Sequence, residues 1–316
     1  MAAQFRVAYT PRMRIIAVFS LVFVLTSTHS VHAQTFGGVG SRAEGMAGAF
    51  VAVADDATAV YWNPAGIATG ATFDLQVATG RESKLFVGAA LPVLAASYYR
   101  TRDVTGLPTV SGSPDRQNGG SGEVQVRTLT TTNVGLTVVQ TIVPGLVIGT
   151  TARMVRGTID AFDTSTTVDL DAGAIVSAWD VRFGFTARNL REAEFQAGTT
   201  AVRMNRQLRV GAALTPRSLP TGVHGPFTLA LDVDLTTTPD LRGKSRMAAA
   251  GGEYWVARGL VGARAGVRWS TLGDSHRAIA GGFTVRLPRS VHVDGHVTKD
   301  NELEQLDWTI GARVTF

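Results

Sequence analysis

Histidine is the residue type most often used as a catalytic base or a metal ligand, so the histidines are the first candidates for chemistry. The chain has six of them. They are His29, His32, His224, His276, His292 and His296. The last two lie four residues apart in a segment of alternating polarity, which separates them by about 13 Å along one strand face. Because one metal ion cannot span that distance, we predict no metal site and interpret both as solvated side chains.

The other motifs with chemical meaning are incomplete. Gly37-Gly38-Val39-Gly40 lacks the spacing of a phosphate-binding loop, and Asp115-Arg116-Gln117-Asn118-Gly119 lacks the alternating ligands of a calcium loop. The chain contains no cysteine, which excludes disulfides and thiolate metal sites. We therefore expect no catalytic residue, no cofactor and no enzyme activity. A Ser–His triad assembled from distant residues is the alternative that spacing alone leaves open.

A third group of polar residues is more regular, because its arginines and aspartates stand at every second position of otherwise apolar segments. The group comprises Arg182, Arg209, Asp232, Asp234, Arg264, Arg268 and Arg313. In a β-strand, alternate side chains point to opposite faces. The pattern therefore predicts strands with one apolar face and one charged face.

The last stretch of the chain, 308–316, shows the same alternation most clearly. Trp308, Ile310 and Phe316 fall on one face, and Arg313 falls on the other. A two-faced strand of this kind is typical either of a soluble sandwich or of a transmembrane barrel. From residue 71 onward we predict fourteen consecutive antiparallel strands, several of which show the same alternation. Their predicted ranges are 72–79, 85–91, 93–103, 123–142, 146–157, 166–178, 180–190, 203–216, 227–236, 246–256, 260–271, 276–287, 290–299 and 305–316.

The lengths of the connectors and the number of strands both favour the barrel over the sandwich. Very short connectors, near 144 and 179, alternate with longer polar ones such as 104–122 and 191–202, as in outer-membrane barrels. An even number of strands also places both ends of the sheet on one side. We predict an all-β fold, a transmembrane antiparallel β-barrel of about fourteen strands.

The barrel gives the charged faces a direction. A charge facing lipid at mid-depth costs about 2–4 kcal/mol, so the arginines and aspartates are expected to face the lumen. We interpret them as a ladder that pairs across strands or contacts chain inside the barrel. A polar path for solute is the alternative.

Residues 1–33 have the three parts of a secretory signal peptide. Arg6, Arg12 and Arg14 form the basic region, 15–26 is apolar, and 31–33 is a small-residue cleavage site. The apolar part would span about 18 Å as a helix, against about 30 Å for a bilayer core. We expect cleavage and export to the outer membrane of a Gram-negative-type envelope.

Removal of the signal peptide lowers the formal net charge from +5 to about +2. The sequence pI of about 9.9 is therefore not evidence for nucleic-acid binding, and we expect no nucleic acid as a partner. Outer-membrane lipid is the partner that the apolar strand faces predict.

Residues 34–70 differ from the strands that follow. They are rich in glycine and alanine, and they contain the run Trp62-Asn63-Pro64. Asp55 or Asp56 is a candidate N-cap for a short helix through Trp62, which Pro64 would end. We predict a compact segment of turns and helix, without a strand.

Within this segment, the run from Ser41 to Gly66 resembles the N-terminus of the FadL/TodX and PorV-like outer-membrane proteins. The resemblance is carried by Gly45-Met46-Ala47-Gly48-Ala49-Phe50, Ala54-Asp55-Asp56 and Tyr61-Trp62-Asn63-Pro64-Ala65-Gly66. It implies a hatch at 34–70 inside a barrel at 71–316. The terminal Phe316, with Trp308, also resembles the signal that the barrel-assembly machinery recognises.

The resemblance implies a function as well. A FadL/TodX-like protein is expected to be a channel for passive uptake of hydrophobic or amphipathic small molecules, fatty-acid-like or aromatic, gated by its hatch. The alternative is a PorV-like barrel that docks or shuttles secreted proteins, with a secreted protein as partner.

The hatch supplies the candidate ligand residues. Phe50, Tyr61 and Trp62 are expected to line an apolar pocket for a hydrophobic ligand, and simple packing of the plug is an equal alternative. Asn63 and Pro64 are expected to form the bend between the hatch and the first strand.

Overall fold

The computed structural model describes residues 38–108, 124–159, 164–197, 200–216, 227–240, 243–256, 259–273, 276–301 and 306–316. The predicted signal peptide, the loop at 115–119 and His224 lie outside the described residues.

The described strands form a closed barrel in which each strand pairs antiparallel with its neighbours along the chain. The prediction of a fourteen-stranded all-β barrel is confirmed. The strands are β1 Asp74–Gly80, β2 Leu85–Leu91, β3 Leu94–Pro108, β4 Val124–Val143, β5 Leu146–Ile159, β6 Ser165–Ala178, β7 Val181–Arg188, β8 Gln207–Leu214, β9 Phe227–Asp234, β10 Met247–Val256, β11 Val261–Ser270, β12 Arg277–Leu287, β13 Val291–Asp300 and β14 Asp307–Thr315.

The barrel closes where the first and last strands meet. β1 pairs antiparallel with β14, from Asp74 opposite Thr315 to Gly80 opposite Thr309. Just beyond this ladder, Phe73 and Phe316 exchange two backbone hydrogen bonds of 3.1 and 3.0 Å. Both ends of the sheet therefore lie on the same side of the barrel, as the even number of strands requires.

The two faces of the wall differ in polarity along most strands. β5, for example, alternates strictly between buried and exposed residues from Val147 to Ile159. The exposed residues of the strands include many large apolar side chains. Examples are Leu136, Val138, Ile148, Met154, Phe183, Leu229, Leu231, Ile279, Phe283, Val297 and Ile310. An apolar outer belt of this kind is the surface that a barrel presents to lipid.

Residues 38–70, here called the lumenal segment, contain short helices and turns. Helix α1 is Ser41–Gly45, helix α2 is Ala59–Trp62, and a 3-10 helix runs over Pro64–Thr69. Asn63 has an extended backbone, which agrees with the steric effect of the following proline. The N-cap prediction was wrong: the cap is Thr58, whose backbone N–H donates to Asp56 Oδ1 at 2.9 Å.

Two short hairpins lie outside the barrel ladder. The hairpin strands are Glu194–Ala197 with Thr200–Arg203, and Thr238–Asp240 with Gly243–Ser245. The predicted strand 203–216 was therefore too long, because residues 200–203 fold back on 194–197. The first hairpin packs Phe195 and Val202 against Leu129, Val155 and Ile159.

The turn between β1 and β2 contains a 3-10 helix at Arg81–Ser83. Among the described residues, no helix has the length and apolar character needed to cross a membrane.

The outward face generates a first prediction. Leu231 is exposed in the middle of β9, and Leu235 is exposed just past its end. Leu231→Arg is expected to lower the free energy of unfolding in lipid vesicles by about 2–4 kcal/mol, because it places a charge at mid-depth. Leu235→Arg serves as the control and is expected to cost about 1 kcal/mol or less. Equal losses in a denaturant titration would contradict a lipid-facing outer wall.

Candidate functional site: the interface between the lumenal segment and the barrel wall

The lumenal segment contacts strands on all sides of the barrel. Its hydrogen bonds reach Asp74 on β1, Ala174 on β6, Asp232 on β9 and Glu253 on β10. Apolar residues of the segment form one buried cluster with residues of the wall. The segment thus occupies the lumen, and the surface between it and the wall is the candidate functional site.

Glycine lines the wall where the segment approaches most closely. Three cross-strand pairs consist of glycine on both strands: Gly149 with Gly173, Gly184 with Gly211, and Gly251 with Gly266. A Cβ atom at any of these six positions would lie within 3.0 Å of an atom of the segment or, at Gly211, of Asp232. Backbone of the segment therefore packs directly on backbone of the wall, which only glycine permits.

The predicted ligand residues lie at the centre of the segment. The rings of Phe50 and Trp62 meet edge to face with centroids 6.1 Å apart, and Tyr61 contacts both Trp62 and Tyr99 of β3. All three predicted aromatic residues are buried, and they belong to the packed cluster. Trp62 Nε1 donates to the carbonyl of Val39 at 2.8 Å. The arrangement agrees with the packing alternative, and their role as ligand contacts stays a prediction.

Asn63 links the segment to the wall through its side chain. Its Nδ2 donates to the carbonyl of Val51 at 2.8 Å and to that of Ala174 on β6 at 3.1 Å. Its Oδ1 accepts the N–H of Ala65 at 3.2 Å, at the start of the 3-10 helix that Pro64 begins. This residue therefore fixes two turns of the segment and one strand at once.

Asp232 on β9 accepts two backbone hydrogen bonds from the segment. The N–H groups of Phe50 and Val51 both donate to its Oδ2 at 2.8 Å. Beside it, Arg209 Nε pairs with Asp234 Oδ1 at 2.5 Å, and Arg209 Nη1 donates to the carbonyl of Gly48 at 3.4 Å. Asp232 and Arg209 thus bind the same turn of the segment directly, and Asp234 holds Arg209 in place.

Arg42 of α1 is the cation at the centre of the largest charge cluster. It pairs with Glu253 on β10 through two hydrogen bonds of 2.9 and 3.0 Å, and it also contacts Asp55 and Asp56. Burial alone would lower the pKa of Arg42. The three carboxylates have the opposite effect, and together they outweigh burial, so the pKa lies well above its ordinary value. The three carboxylates therefore favour the charged form of the guanidinium.

Arg264 on β11 joins the same cluster from the other side. Its Nε donates to Glu253 Oε2 at 3.1 Å, and its Nη2 lies 3.4 Å from Asp294 Oδ1. Arg268 lies four residues further along β11, 3.9 Å from Glu44 of the segment and 3.9 Å from Asp300. Arg268 thus contacts the segment directly, and Arg264 is linked to it through Glu253, which also binds Arg42.

The remaining predicted arginines are Arg313, on β14 where the barrel closes, and Arg182, on β7. Arg313 donates from Nε and Nη2 to Asp74 Oδ2 at 2.9 and 2.8 Å, and the same oxygen accepts the N–H of Ala57 at 3.0 Å. Arg182 Nη2 donates to Thr69 Oγ1 at 2.8 Å. Both arginines therefore connect the wall to the segment or to the closure of the barrel.

A separate buried cluster surrounds Arg153 on β5. Its guanidinium donates to Asp171 at 2.8 Å, to Asp169 at 3.0 Å and to Asn133 at 2.8 Å. Arg188 lies next to this cluster, with its Cζ 3.6 Å from the centre of the Tyr61 ring. A cation over the face of a tyrosine is a favourable contact, so this cluster also binds the segment.

Some of these residues were missed by reasoning from the sequence. Arg42, Glu253 and Asp74 were not predicted as site residues, although Arg42 pairs with Glu253 across 211 positions. An isolated arginine in a glycine-rich segment gives no sign of such a distant partner. The interpretation of His292 and His296 as solvated was wrong, because both side chains are buried.

Comparison with known proteins supports the same fold. The chain is similar to a CymD monoaromatic hydrocarbon channel at 10% identity and TM-score 0.61, covering 88% of this chain and 98% of that one. It matches the P. putida toluene transporter TodX at 10% identity and TM-score 0.61, over 89% and 99%. A Pseudomonas aeruginosa FadL homologue gives 10% identity and 0.61, over 91% and 100%.

The fold is that of the FadL-type outer-membrane barrels. At this identity the likeness establishes the fold alone. A family model described as "F plasmid transfer operon, TraF, protein" matches residues 152–234, a minor part of the chain. No significant match is found among curated protein sequences.

The glycine pairs generate a second prediction. Gly173→Val would bring a side chain within 3.0 Å of Asn63 and Pro64, and overpacking of this kind costs about 1–3 kcal/mol. We expect a lower free energy of unfolding and faster trypsin cleavage after Arg42 in the detergent-extracted protein. Gly281→Val is the control, because its Cβ would meet only Arg264 O at 3.9 Å. Equal protease sensitivity of the two variants would argue against close packing of the segment on the wall.

Asp232 generates a third prediction. Asp232→Ala leaves the N–H groups of Phe50 and Val51 buried without their acceptor, and each such group costs about 1–3 kcal/mol. Asp232→Asn keeps a carbonyl oxygen and is expected to lose less stability than the alanine variant. Denaturant unfolding of the three proteins measures the order. If both variants lose the same free energy, the two backbone hydrogen bonds do not stabilise the segment.

Proposed function

We propose that the protein is an outer-membrane channel for passive uptake of hydrophobic or amphipathic small molecules, fatty-acid-like or aromatic, and that residues 38–70 act as its hatch. The observation that carries the proposal is a fourteen-stranded barrel of the FadL type whose lumen is filled by an N-terminal segment. The similar structures named as a monoaromatic hydrocarbon channel and a toluene transporter support this substrate class.

The packing of the lumenal segment is the reason why movement is part of the proposal. Phe50, Tyr61 and Trp62 are buried among wall residues, so a ligand reaches the far side of the barrel only when part of the segment shifts. The polarity of this region agrees with an apolar ligand, because the cluster around Trp62 is apolar and aromatic. When a ligand takes the place of part of the segment, wall residues exchange one apolar contact for another.

The charged contacts set a limit on that movement. Arg42, Asp232 and Glu253 join the segment to β9 and β10 through hydrogen bonds that are buried or partly buried. Breaking one partner away from a buried charged pair is strongly unfavourable, at about 3–5 kcal/mol. We therefore propose that the segment shifts while it stays attached to the wall, and that it does not leave the lumen.

A reversible covalent tether tests the proposal. The chain has no cysteine, so an introduced pair is the only pair present. A Cβ atom at Gly88 on β2 would lie 3.4 Å from the Cβ of Ala57 in the segment, close to the separation of about 3.5–4.5 Å in a disulfide. In the double variant Ala57→Cys and Gly88→Cys, oxidation is expected to slow uptake of a fluorescent fatty acid and of radiolabelled toluene at least tenfold. Reduction is expected to restore it.

Matched controls separate the tether from side effects. Each single-cysteine variant is expected to take up both probes at the wild-type rate under oxidising conditions, and the Gly88→Cys variant also controls for crowding of the nearby Phe86 ring. Uptake that is unchanged by a formed disulfide would overturn gating by the hatch. Uptake of neither probe above that of cells without the protein would overturn the substrate class.

A further inference from the structure

Three side chains that commonly bind metal ions meet between the lumenal segment and the wall. Glu44 comes from α1, His296 from β13 and Asp307 from the start of β14, and one donor atom of each lies within 4.8 Å of the other two. Glu44 is 2% exposed and His296 is 4% exposed. Their sequence separation explains why spacing in the chain gave no indication of this group.

His296 is the member of the group that lacks a protein partner. Among the described residues, neither its Nδ1 nor its Nε2 has a hydrogen-bond partner, although the ring is buried. A buried polar group without a partner is unfavourable, and native structures avoid it unless an ion or a water molecule supplies the missing contact. The ring lies beside two carboxylates, so a cation is the ligand that would satisfy all three groups.

Both carboxylates already have partners, which a bound cation would share. Asp307 Oδ2 pairs with Lys84 Nζ at 2.5 Å, and Glu44 Oε1 accepts the N–H of Gly38 at 2.6 Å. Arg268 lies 3.9 Å from Glu44 Oε2. Each carboxylate has two oxygens with several acceptor positions, so these contacts do not use up its capacity.

The set of donors selects the class of ion. Calcium and magnesium prefer oxygen ligands alone, whereas an imidazole with carboxylates suits divalent first-row metals and zinc. Two donors on one such ion, each at about 2.1 Å, lie no more than about 4.2 Å apart. The donor atoms of the group lie within 4.8 Å of one another, which is close to that limit.

We propose that Glu44, His296 and Asp307 bind a divalent transition-metal ion, with Zn²⁺ as the representative ion. The proposal rests on the geometry of the three side chains and does not depend on the transport function. Because Glu44 belongs to the lumenal segment and the other two ligands belong to the last two strands, the ion would connect the segment to the wall.

Zinc titration of the purified full-length protein tests the site. The protein, carrying a tag without histidine, is treated with EDTA, returned to buffer and titrated with Zn²⁺ by calorimetry. The expected result is one Zn²⁺ bound per chain. His296→Gln is expected to weaken binding at least tenfold, and Glu44→Gln is expected to weaken it as well.

His292→Gln is the matched control, because His292 lies on the same face of β13, is also buried, and is outside the group. It is expected to bind Zn²⁺ as the wild type does. Wild-type protein without stoichiometric binding, or equal binding by His296→Gln, would overturn the proposal.

A second measurement avoids any loss of folding in the variants. X-ray absorption at the zinc edge of the wild-type complex is expected to show one imidazole nitrogen and oxygen donors. An all-oxygen shell, or a shell with two or more imidazoles, would place the ion elsewhere and refute the site.

Discussion

Backbone hydrogen bonding is the constraint on which the rest of this structure depends. Hydrocarbon offers no partner for a free N–H or C=O group, so a sheet within a membrane must have no open edge. The pairing of β1 with β14 removes that edge. The mutual hydrogen bonds of Phe73 and Phe316 extend this pairing by one more residue on each strand. Closure of fourteen strands then creates an interior wider than the side chains of the wall alone fill. The lumenal segment occupies that space.

The same constraint explains how the segment is attached. Its two α-helices are only five and four residues long and its 3-10 helix has six residues, so many of its backbone groups have no partner within the segment. The wall supplies partners instead: Asp232 and Asp74 accept backbone N–H groups, and Arg209 donates to a backbone carbonyl. The glycine pairs bring wall and segment close enough for these contacts. The charges of the inner face are therefore first of all the hydrogen-bond partners of an irregular chain.

The strands could be predicted from the sequence because their signal is local. Alternation along β9 or β14 depends only on neighbouring residues, and all fourteen predicted strands match strands of the barrel. The hairpin at 194–203 was missed because its two strands of four residues are too short to show a period. The glycine pairs and the Arg42–Glu253 contact depend on register and on closure, which bring distant residues together. The burial of His296 has the same origin, since a lumenal position is solvated only when nothing fills the lumen.

The order of the chain and the position of the lumenal segment have a consequence for folding. The segment precedes every strand, yet one of its main contacts joins residues 211 positions apart. Contacts of such long separation form late, so the segment waits without its final partners while the strands are made and inserted. Incompletely folded chains that expose apolar surface tend to aggregate. The small glycine and alanine side chains of this segment keep that surface modest, and the composition that allows tight packing at the end also protects the chain before it.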